Sequence, residues 1–258
     1  MVRQLRTVIT AAVALACATI AGVAQDADMT ATYQQKSRVL ERYKDLPIAL
    51  DTPALAPGRA ALTTQEELDR YIGILATGSN VIAARVLGTT PQGRKLHLLY
   101  LTKEGHTTAQ QIRALGRPVA WLIGQQHGNE PAGGEAMLAL AKSLSQGELA
   151  PLLDKLTVVI VPRANPDGAA ANTRDTSEKM DMNRDHVVLA LPEVRLLHRA
   201  VLELPPDLVI DAHEFSVAAR WIEKFGALQA VDLMYLAATH PDIPRTVRDL
   251  AETVFYPA

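Results

Sequence analysis

Three short, strongly apolar runs set the limits on what this chain can fold into: Pro118 to Gly124 (PVAWLIG), Leu156 to Pro162 (LTVVIVP) and Leu208 to His213 (LVIDAH). They are continuous rather than alternating, rich in β-branched residues, and separated by stretches with helical periodicity. That is the signature of strands buried on both faces of a sheet. The helices between them are legible. Pro131 stands at a first helical position with Ala136, Leu138, Leu140 and Leu144 behind it and Gly147 as the stop. Pro192 opens another, with Val194, Leu197, Val201 and Leu204 on one face. The alternation predicts an α/β fold with a mixed, mostly parallel sheet sandwiched between helices.

Upstream, Gln65 to Ala76 reads as a helix, with Thr63 or Thr64 as N-cap, Glu66 and Glu67 in its first turn and Gly78 closing it. VIAARVL and KLHLLYLT, joined by GTTPQGR, read as a hairpin or meander. His97 alternates there with apolar neighbours, which makes it a strand-face histidine rather than a ligand. Downstream of His213, Gly226 to His240 reads as an apolar helix, Pro241 breaks it, and Pro244 to Phe255 starts another.

The 258 residues carry a formal charge of −2 with no basic cluster, which argues against nucleic acid as the main partner. The N-terminus has an export signature: Arg3 and Arg6, an apolar run from Val8 to Ala24, then QDAD, with Gly22 and Ala24 suited to cleavage before Gln25. The run is short and Ala-rich for a permanent membrane span. Ala14-Leu15-Ala16 is a poor lipoprotein box, so Cys17 reads as an ordinary residue of the signal rather than a lipid anchor. The expected organisation is a signal peptide over 1–24, a lead-in over 25–64 rich in Asp, Thr, Ala and Pro, and one catalytic domain over 65–258. Removing the signal takes Arg3, Arg6 and the only Cys, leaving 24 basic against 28 acidic residues. Any metal ligands are then His, Asp or Glu. The expected location is the periplasm or the medium, with no stable membrane span once the signal is gone.

Ligands of open α/β sheets bind beyond the carboxyl ends of the strands. His127 and Glu130 follow one such end, and His213 stands at another. Two neutral imidazoles and one carboxylate leave a divalent zinc with net positive charge and an open position, which preserves Lewis acidity. A His-x-x-Glu pair alone is weak evidence, and a strand-end histidine is commonly satisfied by a backbone carbonyl. Order and context add weight: the pair, then NPDG at Asn165 to Gly168, then Asp181-Met182-Asn183-Arg184, then Asp-Ala-His.

From the hairpin near Val81 to His213, this series resembles the zinc carboxypeptidases of the carboxypeptidase A type, the M14 peptidases. GTTPQGRKL is similar to that family's G-x-S-x-x-G-R hairpin, GQQHGNEPAG to its zinc motif, PRANPDG to its N-P-D-G turn and DMNRDH to its D-x-N-R motif. The resemblance implies one zinc per chain held by His127, Glu130 and His213. It implies Asn183 and Arg184 as binders of a peptide's C-terminal carboxylate, a task suited to a planar guanidinium. It implies Asp181 as a partner for the other ring nitrogen of His127, and Arg174 as a group polarising the scissile carbonyl. The bland alternatives are a plain turn for NPDG, a solvated Arg174, and an Arg184 paired with Asp181 or Asp185. His186, directly after the last motif, has no assigned role.

Two departures count. Glu214 follows the third ligand where pancreatic members carry a small polar residue, which keeps a zinc deacylase or amidase on acylated amino acids or cell-wall peptides as an alternative. The family's general-base Glu and mobile Tyr lie well beyond the third ligand, whereas 45 residues follow His213 here. Glu223, Glu252, Tyr235 and Tyr256 are available but in no matching context. The expectation is a catalytic domain incomplete at its C-terminal end, with a zinc-binding fragment lacking turnover as a further alternative.

Overall fold

The protein is described by a computed structural model over residues 41, 48, 50–216, 220–228, 233–238 and 242–255. The expected signal peptide with Cys17, most of the lead-in before residue 50, and Tyr256 lie outside the described residues. The chain divides into two compact units, Asp45–Phe215, and Met1–Lys44 with Ser216–Ala258.

In the larger unit, helix α1 runs over Gln65–Gly78 and starts on a capping box: the Thr64 side chain accepts from Glu67 N, and Glu67 answers to the Thr64 backbone. The expected hairpin follows as β1 (Ile82–Thr89) and β2 (Lys95–Leu101). A short helix not foreseen in the sequence, α2 (Ala109–Ala114), precedes β3 (Val119–Gly124). Then come α3 (Pro131–Gln146), β4 (Thr157–Val161), α4 (Pro166–Ala171), α5 (Pro192–Glu203) and β5 (Leu208–Ala212).

The strands form one mixed sheet in the order β1-β2-β4-β3-β5. β1 with β2 and β2 with β4 are antiparallel, while β4 with β3 and β3 with β5 are parallel. Alternate residues of the strands feed two cores. Leu96, Leu98, Trp121 and Val159 pack with Val194 and Leu197 of α5 on one face. Leu99, Leu101, Val158 and Ile160 pack with Leu68 and Ile72 of α1 and Leu138 and Ala141 of α3 on the other. A sheet covered on both faces explains why β3 and β4 read as continuous apolar runs. His97 has the predicted structural place, with Nε2 2.8 Å from Asp69 Oδ1.

Two expectations need correcting. LVIDAH was read as buried on both faces, yet Leu208, Val209 and Ile210 are 37%, 50% and 48% exposed. The reason is position: among the described residues β5 is an edge strand paired with β3 alone. The segment Gly226 to His240 is not helical at its described residues, 226–228 and 233–238. In the smaller unit the helix instead covers Arg220–Phe225 (α6) and stops at Gly226, whose φ of 59° is the left-handed stop that glycine permits. The last expected helix is present as α7 (Arg245–Leu250), running into a π turn over Ala251–Phe255.

Candidate metal centre

β3 empties at Gly124 into a tight turn built by its own side chains. Gln125 takes a left-handed conformation, φ 52°, uncommon for a residue with a Cβ, and its Nε2 donates to Gly128 O at 2.9 Å. Its Oε1 accepts from Arg163 Nε at 2.8 Å, so a buried guanidinium on the loop after β4 braces the turn. A Cβ on Gly128 would stand 2.0 Å from the Gly168 carbonyl carbon, so the turn lies directly on the α4 backbone. The N-P-D-G segment supplies that seat: Asn165 Oδ1 accepts from Gly168 N at 2.9 Å and caps α4. NPDG is thus the first turn of a helix. Asp167 bonds Thr90, Arg94 and Ser177, joining the β1–β2 hairpin to this helix.

The turn presents His127 and Glu130, 3% and 8% exposed, and His213 follows β5 immediately. Ligand atoms of the three lie within 4.8 Å of one another. Glu130 Oε1 is 2.8 Å from His127 Nδ1, Glu130 Oε2 is 2.8 Å from His213 Nδ1, and the two Nδ1 atoms are 3.1 Å apart. Tetrahedral zinc with bonds of about 2.0–2.1 Å sets its ligand atoms about 3.3 Å apart. Two imidazole nitrogens aimed at each other need a proton or a cation between them. The donor set therefore fits zinc.

The outer nitrogens are engaged as well. His127 Nε2 lies 3.2 Å from Asp181 Oδ1, and His213 Nε2 lies 2.8 Å from Asp211 Oδ2. A carboxylate only accepts, so with Nδ1 given to a metal each imidazole would hold its proton on Nε2. Without metal, the bond to Asp211 pushes the His213 imidazole up to about 9; burial opposes this, and Glu130 adds to it. Burial works against ionisation of Asp181, but the Arg174 guanidinium prevails and holds its carboxyl below the usual range.

The structure brings the other predicted residues to the same place, with one exception. Arg174 donates to Asp181 Oδ2 at 3.0 Å, and its Nη1 is 3.2 Å from His127 Nδ1 and 3.6 Å from Glu130 Oε1. It stands at the rim of the cluster and is not merely solvated. Asn183 Nδ2 lies 3.0 Å from His213 Nε2, on a 3-10 turn over Met182–Arg184. Arg184 is the exception: it is exposed and its Nη1 donates to its neighbour's carbonyl, Asn183 O, at 2.9 Å. Glu214 has a structural task. Glu130 is the N-cap residue of α3 but spends its carboxylate on the imidazoles, and Glu214 Oε1 accepts from Ala132 N in its stead. Asp211, Gln126 and His186 were not assigned in the sequence. The DxH spacing of Asp211 and His213 was the one available signal for the first of them.

Residues 70–189 match the family model "Peptidase_M14: Zinc carboxypeptidase". A protein of Trichophyton verrucosum described as probable carboxypeptidase 2 is 30% identical over 215 residues, which are 80% of this chain and 41% of that one. Thus the chain spans about two fifths of the length of the curated relatives it matches over most of its extent. Among solved structures, a metallo-carboxypeptidase from Burkholderia cenocepacia is 25% identical with a TM-score of 0.51 over 58% of this chain and 40% of that one. Carboxypeptidase A from Helicoverpa armigera, 21% identical with a TM-score of 0.52 over 60% of this chain and 46% of that one, shares the fold. The zinc-motif turn and the N-P-D-G helix lie within the matched residues, so it is over 70–189 that the chain is identified with the zinc carboxypeptidase family, and its mixed sheet shares the fold of these solved structures.

Proposed function

We propose that this chain carries the metal-binding part of an exported zinc carboxypeptidase that hydrolyses the C-terminal peptide bond of peptides. The observation that carries the reading is the convergence of His127, Glu130 and His213 on one centre beside Asn183 and Arg174. Zinc held by the three would supply Lewis acidity, polarising a carbonyl and easing the deprotonation of water. Arg174, next to that centre, stabilises negative charge developing on the carbonyl oxygen. Asn183 and the exposed guanidinium of Arg184 bind the substrate's terminal carboxylate, Arg184 by turning from Asn183 O towards it. Asp181 orients both His127 and Arg174.

Glu130, Asp181 and Asp211, the carboxylates bonded to the cluster, are each engaged by imidazole or guanidinium groups. The general base is therefore assigned to none of them, and its contribution of roughly 10²- to 10⁴-fold comes from elsewhere in the enzyme. The deacylase alternative drew on Glu214, whose carboxylate caps α3, so that residue no longer favours it. Export rests on the N-terminal signature, and no helix among the described residues is long and apolar enough to cross a membrane.

The test has two arms. His127→Ala should abolish stoichiometric zinc in metal analysis, and zinc retained at one per chain would overturn the site. In the active enzyme, Arg184→Ala should raise KM far more for peptides with a free C-terminus than for amidated ones. Equal effects on both would overturn carboxypeptidase specificity.

A further inference from the structure

His213 differs from its two companions in how it is held. His127 and Glu130 are 3% and 8% exposed on a braced turn, whereas His213 follows an edge strand whose apolar residues are 37–50% exposed. Core packing therefore does little to fix its ring, and hydrogen bonds must do so. A continuous series of them runs away from the ring. His213 Nε2 meets Asp211 Oδ2 at 2.8 Å, the same oxygen accepts from Gln126 Nε2 at 2.6 Å, Gln126 Oε1 meets His186 Nε2 at 2.7 Å, and His186 Nδ1 meets His198 Nε2 at 3.0 Å.

We infer that Gln126 and His186 are positioning residues for the third metal ligand, acting through Asp211. The inference rests on His213 being a zinc ligand. Its support is that every donor in the series is determined from one end. Asp211 only accepts, so Gln126 must turn its NH2 towards it and its carbonyl oxygen towards His186. His186 must then carry its proton on Nε2, leaving Nδ1 to accept from His198 Nε2–H on α5. Burial first, and His198 second, hold His186 below the usual histidine range, which favours the neutral ring that this pattern needs. Gln126 is 3% exposed, next to His127 in sequence, and so ties the metal turn to the edge strand. The series joins four elements, α5, the loop after Met182–Arg184, the turn after β3, and β5, and it ends on the outer nitrogen of His213.

The test is made on the full chain, measuring zinc Kd by chelator competition, the visible spectrum of the cobalt(II)-substituted protein and the thermal midpoint of the metal-free form. His186→Leu should weaken zinc by about tenfold, the low end for groups that orient a ligand, and shift the cobalt spectrum, with the metal-free midpoint near the parent's. His186→Gln, whose amide still donates to Gln126 Oε1, should restore both metal readouts. Gln126→Met carries the same expectation as His186→Leu if that variant does not fold. In a double-mutant cycle, His186→Leu should add nothing to Asp211→Asn. An unchanged Kd in His186→Leu and Gln126→Met alongside a weakened Asp211→Asn would overturn the inference and leave the zinc site standing, as would additive effects in the cycle. An unchanged Kd in His213→Ala would instead overturn the ligand assignment on which it rests.

Discussion

Replacing Gly128 by alanine asks whether the metal turn is held by direct contact of two backbones. The added Cβ would stand 2.0 Å from Gly168 C, 2.3 Å from Ala169 N and 2.4 Å from Gly168 O, all main-chain atoms that no rotamer change can move. Carbon atoms pack comfortably at about 3.5 Å, so the turn and α4 must part by about 1.5 Å. Metal sites tolerate errors of about 0.2 Å in ligand distance. A separation several times larger pulls His127 and Glu130 out of register with His213, or strains α4 and its Asp167 contacts. The expected result is a loss of about 1–3 kcal/mol in stability from overpacking and zinc binding weakened by more than tenfold. Thermal or urea unfolding of the metal-free chain reads the first quantity and chelator competition the second. Gly73→Ala is the control: it lies inside α1 with no atom of the described residues within 4 Å of its added Cβ. It should stabilise the chain by about 1 kcal/mol and leave zinc affinity alone. Parental stability and zinc affinity in Gly128→Ala would refute the argument, because they would mean that the two backbones do not meet.

Zinc must displace a proton from His213, whose metal-free pKa is pushed up to about 9 by Asp211 and Glu130. Zinc affinity should therefore keep rising with pH towards 9, and levelling near 6.5 in a chelator titration would show that this cluster does not form. In the metal-free chain the same raised pKa gives stability that is full below the unfolded value near 6.5 and lost as pH rises through about 9. Thermal midpoints of zinc-free protein should fall across that window, and His213→Ala should remove the fall. Asp167 has the opposite sign: burial would raise its pKa, but Thr90, Arg94 and Ser177 outweigh it and hold the carboxyl low. Its stabilisation is present above the ordinary carboxylate value and is lost as pH falls through the lowered one, so Asp167→Asn should cost about 2 kcal/mol at pH 7 and little in acid unfolding curves. Glu193 is 1% exposed, and neither carboxylate oxygen has a hydrogen-bond partner among the described residues. Burial raises its pKa, so its charged form burdens the fold as pH rises, and Glu193→Gln should raise the thermal midpoint more at pH 8 than at pH 4. Equal shifts at both values would refute this.

Pattern and spacing alone determined a good deal of this protein. β3, β4, α3 and α5 were legible because strands covered on both faces must be apolar throughout and because Pro131, Gly147 and Pro192 mark helix ends. The convergence of His127, Glu130 and His213 was legible because residues that follow strand ends on one side of a sheet come together. β5 was misjudged because an apolar run does not say how many neighbours a strand has, and the edge position arises only when the sheet is assembled. The helix expected from Gly226 is absent at the described residues 226–228 and 233–238, and Gly226, with its left-handed φ, ends α6 instead. Tertiary structure alone decided that Glu214 caps α3 in place of Glu130, that Gln125 and Arg163 brace the turn, and that Gln126 and His186 reach the outer nitrogen of His213 through Asp211. Hydrogen bonds between groups as far apart in sequence as Gln126 and Asp211 leave no periodic trace. They depend on distances that exist only once β3, β5 and α5 are packed.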